Sequence, residues 1–243
     1  MNYLISISAA TVVPFAFAWF YQRKSWAWMG LSLIVGLSLY PVSLNKTTFF
    51  GPFWLLSLAI FLKFARPRVA VILTLLIPML VGFTAFGFAP IDKKPLLGLI
   101  NFRMLAIPAS ALDHYYHYFA GHPLTHFCQI SIVGKMFHCR LSGQLGVLMD
   151  KSYRLGSYNG SLFATEGIAS VGLILAPLAA LACGLVIAVG NIASSGLRPA
   201  FVFLSSAVLM QIIMNVPLSV IMVTHGGSLM FILWALTLRD NGG

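Results

Sequence analysis

The sequence predicts an all-α fold, a polytopic transmembrane helical bundle of about 7–8 spans with one long extracytoplasmic loop. Three observations predict it. Charged residues are 8% of the chain, against roughly a quarter in soluble domains, and the mean hydropathy is +0.92. Most of the length divides into charge-free runs near the ~20 residues that carry a helix across ~30 Å of hydrocarbon. These runs lack the two-residue alternation of barrel strands, and in lipid only helices and closed barrels satisfy every backbone group.

The first run, Asn2 to Phe20, ends at Gln22, Arg23 and Lys24. No positive residue precedes it, so it lacks the n-region of a signal peptide and is expected to remain as a span with its N-terminus outside. A second span is expected over Trp26 to Val42, followed by Lys46. The third, Phe49 to Phe64, is short and carries Lys63, whose long stem lets its ammonium reach the interface near Arg66 and Arg68. The fourth covers Val69 to Ala89 and meets Asp92, Lys93 and Lys94. Leu96 to Leu112 is a doubtful span, interrupted by Arg103 and Pro108. After a polar segment, spans are expected over Gly167 to Gly190, Pro199 to Asn215 and Ser219 to Leu238. The organisation is therefore transmembrane helices over 1–112, including the Arg103 helix, an extracytoplasmic loop over 113–165, and C-terminal transmembrane helices over 166–243.

A full span at Leu96 to Leu112 would reverse the orientation of everything after it. Without it, Arg23, Lys24, Lys63, Arg66, Arg68, Arg198 and Arg239 all face the cytoplasm, and the loop at Lys46 lies outside. That assignment fits the positive-inside bias of short loops and places Asp113 to Ser161 outside. Lys135, Arg140, Lys151 and Arg154 of that segment stand against it; the reverse topology places them inside, and charge bias alone does not exclude it. The formal charge of +10 lies on lysines and arginines set singly or in pairs between apolar runs. No nucleic-acid partner is expected from it; the basic residues read as topology signals and as contacts for anionic headgroups of the phospholipid bilayer. Of the three cysteines, Cys183 lies in an apolar run. Cys128 and Cys139 share the polar segment and would pair only in an oxidising compartment; free thiols are expected.

Several residues break the apolar pattern. Arg103 costs roughly 2.5–3.5 kcal/mol at a helix centre on insertion scales, which calls either for an anionic partner held by the guanidinium fork or for a position near a helix end. In "DHYYHYFAGHPLTH", Asp113 and His117 share a helical face at i, i+4, and His122 and His126 do so if Pro123 starts a new turn. Paired histidines suit zinc, yet there is no HExxH and no carboxylate at the matching offset, so no metal is expected. Tyr115, Tyr116, Tyr118 and Phe119 read equally as an interfacial belt. Further along, Arg154, Asn159 and Glu166 lead into a span, among glycines that permit close backbone approach. Glu166, one of five acidic residues, fits a helix N-terminus favoured by the dipole or the carboxylate of a membrane-surface active site. His225 is a further polar intrusion, beside two glycines that weaken the helix there.

The order of these features, an arginine followed by "IP", then "YYHYF", "HPLTH", a polar loop and "YNGSLFATEGIASVG" opening a span, resembles the Wzy-type O-antigen and exopolysaccharide repeat-unit polymerases of bacterial inner membranes. The match runs from Phe102 to Gly172, with "NVPLSVIMVTHGG" continuing the pattern, and is to the C-terminal half of such enzymes. The resemblance implies a multi-pass inner-membrane glycosyltransferase. It would move a growing glycan from undecaprenyl pyrophosphate to a lipid-linked acceptor repeat unit, with no cofactor, nucleotide sugar or obligatory metal. It further implies a lipid-linked oligosaccharide as substrate and a chain-length regulator or flippase as protein partner. The chain has fewer spans than members of that family usually have.

On that resemblance Arg103 takes the family's arginine in the apolar helix, Tyr115 to His126 its aromatic and histidine stretch, and Asn159 with Glu166 its asparagine and acid. Arginine would hold the pyrophosphate as charge develops on the leaving group, and aromatic rings would present platforms to sugar faces. Substrate contacts are thus expected from Arg103, Tyr115, Tyr116, His122, Arg154, Asn159 and His225. A base near working pH must take the acceptor hydroxyl's proton; the candidates are His126 and Glu166, which the sequence does not rank. Two other readings compete. A transporter or flippase would use Arg103, Glu166 and His225 at mid-membrane and predicts an internal symmetry the sequence lacks. A structural subunit of a polysaccharide export complex predicts that none of the polar intrusions matters.

Overall fold

The computed structural model describes residues 2–88, 107–129, 131–138, 145–154, 164–213, 216 and 218–238. Among them every regular element is helical. The helices are α1 Tyr3–Gln22, α2 Trp26–Ser43, α3 Lys46–Phe64, α4 Pro67–Phe88, α5 Ile107–Gly121, α6 Ser131–Met136, α7 Leu145–Tyr153, α8 Ala164–Ala193, α9 Pro199–Ile213, α10 Leu218–Thr224 and α11 Gly227–Leu236. The chain divides into two compact units. One holds Met1–Val81, Ala188–Ile212 and Ile221–Gly243, the other Gly82–Ile187 and Ile213–Val220.

In the first unit Phe17, Leu55, Leu58, Phe201, Leu204 and Met230 are almost wholly buried. Phe201 meets Phe15 edge-on with ring centres 5.3 Å apart, an arrangement the ring quadrupoles favour. Polar side chains on these apolar helices find partners inside the unit, as a lipid surround requires. Trp234 donates its indole N–H to the Ser205 hydroxyl at 2.9 Å. The Asn45 side chain accepts from the Thr47 amide at 3.1 Å and caps α3. The pair α10 and α11 is bent by 61°, with Gly226 at φ 82°. Backbone carbonyls exposed by that break are met by Thr11, which lies in a π-helical turn of α1 over Ser8–Val12. Its hydroxyl reaches the carbonyls of His225 at 2.8 Å and Gly226 at 3.1 Å. A widened helical turn in one element thus supplies what a broken helix in another lacks.

The second unit is built around Tyr115, Phe119, Leu145, Met149, Ile168 and Ala169, contributed by α5, α7 and the start of α8. The last of these helices is two segments. Gly172, at φ 79° and ψ 171°, interrupts it, in a region of backbone space open essentially to glycine alone. Residues 164–171 fold back along the turns that follow Gly172. A Cβ on Gly167 would lie 3.2 Å from the Ala176 backbone and 3.1 Å from the Ala179 Cβ, so three small residues let the two segments touch. Gly172 thereby turns one apolar run into a short buried helix and a long one, and puts Glu166 on the short one.

The described residues are all-helical and membrane-spanning in character, and they account for part of the expected span count. Among the described residues five helices are long and apolar enough to cross, or up to six if the bent pair α10 and α11 is one span. The helix Pro199–Ile213 has 15 residues, short of the ~20 that a full crossing needs at 1.5 Å per residue, and Ser219 to Leu238 is broken at its centre. The expected span Leu96 to Leu112 lies mostly outside the described residues, although α5 runs from Ile107 through Leu112 to Gly121. The described parts of 113–165 include the rest of α5 together with α6 and α7.

Candidate functional site

Within the second unit, the loop after α5 closes over the short helix 164–171. The amides of Thr125 and His126 donate to the carbonyls of Ala169 and Ser170 at 2.8 and 3.2 Å, satisfying acceptors that the break at Gly172 leaves without helical donors. Holding the loop there requires an uncommon backbone: His126 and Phe127 are consecutive non-glycine residues at φ 48° and 62°. Each costs on the order of 1–3 kcal/mol, a strain that concentrates at functional positions.

Side chains continue the connection. The Thr125 hydroxyl donates to Gln129 Oε1 at 2.8 Å and lies 3.2 Å from Ser170 Oγ. Gln129 Nε2 donates to Ser170 Oγ at 2.9 Å and, more weakly, to Glu166 Oε1 at 3.4 Å. From α10, the Ser219 hydroxyl donates to the same Glu166 Oε1 at 2.8 Å. Glu166 is only 6% exposed. Both its donors are neutral and both meet Oε1; among the described residues no protein group donates to Oε2, and no lysine or arginine pairs with the carboxylate. A buried carboxylate oxygen with a lone pair left open is costly, and it is the atom able to accept a proton. The first turn of α8 places the carboxylate at the positive end of the short helix.

Aromatic residues from α5 and α7 border this network. Tyr115 is 1% exposed. Burial raises its phenol above the ordinary tyrosine value and the Glu166 carboxylate raises it further, so it stays an O–H group. Tyr118 stacks on His122 with ring centres 4.0 Å apart, and His122 Nδ1 lies 2.8 Å from the Tyr118 carbonyl. Tyr153 meets His114 edge-on at 4.7 Å.

The structure brings only some of the expected site residues together. Glu166 and the backbone of His126 belong to one network, while the His126 side chain is exposed. Tyr115 and Phe119 are core residues, so the expected interfacial belt does not include them; Tyr116 is 44% exposed. Asp113 and His117 pair at 3.4 Å on one exposed face, as their spacing requires. Pro123 starts no new helical turn, since α5 ends at Gly121 and 122–125 is not helical, so His122 and His126 do not share a helical face. Arg154 is exposed and follows α7 in the left-handed conformation, its amide donating to the Asp150 carbonyl at 2.8 Å. His225 belongs to the first unit, at the break before α11, with Nδ1 2.8 Å from the Thr224 hydroxyl. Arg103 and Asn159 lie outside the described residues.

One expectation is corrected: Cys128 is disulfide-bonded, whereas Cys183 is free. Gln129, Thr125, Ser170 and Ser219 are absent from the residues singled out by sequence. For Ser170 alone a signal is present in the sequence, four residues after Glu166 and so on the same face of the short helix. Comparisons with protein families, with curated proteins and with solved structures find no match.

Proposed function

We propose that the chain is a multi-pass enzyme of the bacterial inner membrane that transfers a glycan from undecaprenyl pyrophosphate to a lipid-linked acceptor repeat unit. The observation that carries this reading is Glu166. Its buried carboxylate is oriented through Oε1 by Ser219 and Gln129, and among the described residues nothing donates to Oε2, the arrangement of a general base for an acceptor hydroxyl. The segments "HPLTH" and "ATEGIASVG", which carry the resemblance to Wzy-type polymerases, are joined by hydrogen bonds from Thr125 and His126. The disulfide at Cys128 favours an oxidising compartment for this segment, the side on which such a polymerase works. In this reading Glu166 takes the hydroxyl proton, while Arg103 compensates charge on the departing pyrophosphate. Tyr116, His122, Arg154 and Asn159 remain candidate substrate contacts, and His126 the alternative base. A chain-length regulator or flippase is the expected protein partner.

A second reading, a transporter or flippase, draws support from the broken pair α10 and α11, since interrupted helices mark many transport sites. One experiment separates the two. Glu166→Gln, expressed at matched membrane levels in a strain lacking its own polymerase, is expected to lower glycan polymerisation by roughly 10²–10⁴-fold while single repeat units still reach the cell surface. Loss of the single units as well would indicate transport. A normal ladder from Glu166→Gln would exclude Glu166 as the base.

A further inference from the structure

We propose that the end of the first unit formed by the α1–α2 and α3–α4 turns is a binding surface for anionic phospholipid headgroups. Arg23 and Lys24 lie in the first turn, and Lys63, Arg66 and Arg68 at the second; all five are exposed. Side-chain contacts bring the turns together. The Lys63 ammonium sits 5.0 Å from the centre of the Trp26 ring, at the start of α2. The Arg23 guanidinium lies 4.3 Å over Trp19, whose ring meets Phe201 at 6.4 Å and so draws the start of α9, with Arg198, to the same end.

Among the described residues of the unit there is no aspartate or glutamate to neutralise this charge. The five cations therefore add rather than cancel, which suits phosphate. Beside them, Trp26, Trp28, Phe64 and Val69 present large apolar side chains outward from the same helix ends. A phospholipid fits both surfaces at once, its headgroup phosphate on the cations and its acyl chains along the apolar helices. An acidic soluble protein would match only the first.

Lys24 gives the strongest indication. The Ser25 amide donates to the Phe20 carbonyl and the Lys24 amide to that of Tyr21, the pattern of a helix end whose last residue adopts the left-handed conformation and is usually glycine. Lys24 adopts it at φ 55°, whereas the turn between α8 and α9 has Gly196 at φ 83°. Lys24 thus presents its side chain at this turn from a backbone conformation in which glycine would be free of strain.

The test uses the full chain purified in neutral detergent, given equal amounts of phosphatidylglycerol and phosphatidylcholine, with retained lipids counted by native mass spectrometry. The parent is expected to retain phosphatidylglycerol in excess. Lys24→Gln should lower that excess about fivefold, and the double variant Arg66→Gln with Arg68→Gln should lower it further. Lys24→Gly separates binding from folding: its thermal midpoint in neutral detergent should hold or rise while the excess falls as in Lys24→Gln. Equal retention of the two lipids by the parent, or an unchanged excess in all variants, would overturn the proposal. So would displacement of phosphatidylglycerol by inorganic phosphate, which would make the ligand a free anion. A fall in the excess seen only with a lowered midpoint would assign Lys24 to the fold instead.

Discussion

Glu166 and Tyr115 illustrate how burial gives ordinary side chains distinct chemistry. Tyr115 is held protonated by burial first and by the nearby carboxylate second, so its folded value exceeds its unfolded one. Below the ordinary tyrosine value of ~10 both states keep the proton and the group adds no pH dependence. As pH rises beyond it, the unfolded chain loses a proton that the folded chain retains, and stability falls by up to about 1.4 kcal/mol per pH unit. Chemical denaturation between pH 9 and 11 should show that loss in the parent and a smaller slope in Tyr115→Phe; equal slopes would remove the assignment. Arg103 carries a prediction from its chemistry alone. If its planar fork holds pyrophosphate, Arg103→Lys should lose most polymerisation despite keeping the charge, because an ammonium does not reproduce two parallel hydrogen bonds. Parent-like ladders from Arg103→Lys at matched levels would rule out the fork.

Among the elements, the fold-back at Gly172 decides where Glu166 sits. A Cβ placed on Gly172 would meet Leu124 Cδ1 first, at 3.6 Å, so space is available and conformation is the constraint. Gly172→Ala should therefore cost about 1–3 kcal/mol through backbone strain and also loosen the Thr125, Gln129 and Ser170 contacts. A lowered thermal midpoint together with faster amide exchange at Thr125 and His126 is the expected signature; an unchanged midpoint would mean that the break lies elsewhere. Hydropathy alone makes Gly167 to Gly190 one span, because it does not register a single dihedral. It likewise makes Ser219 to Leu238 continuous, although the glycines beside His225 mark a weak point in the sequence.

For the whole molecule, two arguments favour an extracytoplasmic side for the segment around α5 to α7. The short basic loops favour the cytoplasm, and the disulfide at Cys128 favours an oxidising compartment for that segment. Ser152 is exposed on α7, so a Ser152→Cys variant should react with an impermeant thiol reagent in cells whose inner membrane is intact. Labelling only after membrane rupture would reverse the topology and remove the polymerase reading with it. The sequence by itself determined that this is an all-helical membrane protein, where most apolar helices run, and that Glu166 is exceptional, because hydropathy and charge are local sums over a few turns of chain. It also put Asp113 and His117 on one face, since a helical repeat is a local rule. Only the tertiary structure decided that Tyr115 and Phe119 are core rather than belt, and that Cys128 is bonded. The same holds for the way Thr125, Gln129, Ser170 and Ser219 surround one carboxylate. That network depends on contacts between residues 41 to 53 positions apart in the chain, and the turn at Gly172 that carries Glu166 and Ser170 into it is a matter of backbone geometry that no pattern of hydrophobicity encodes.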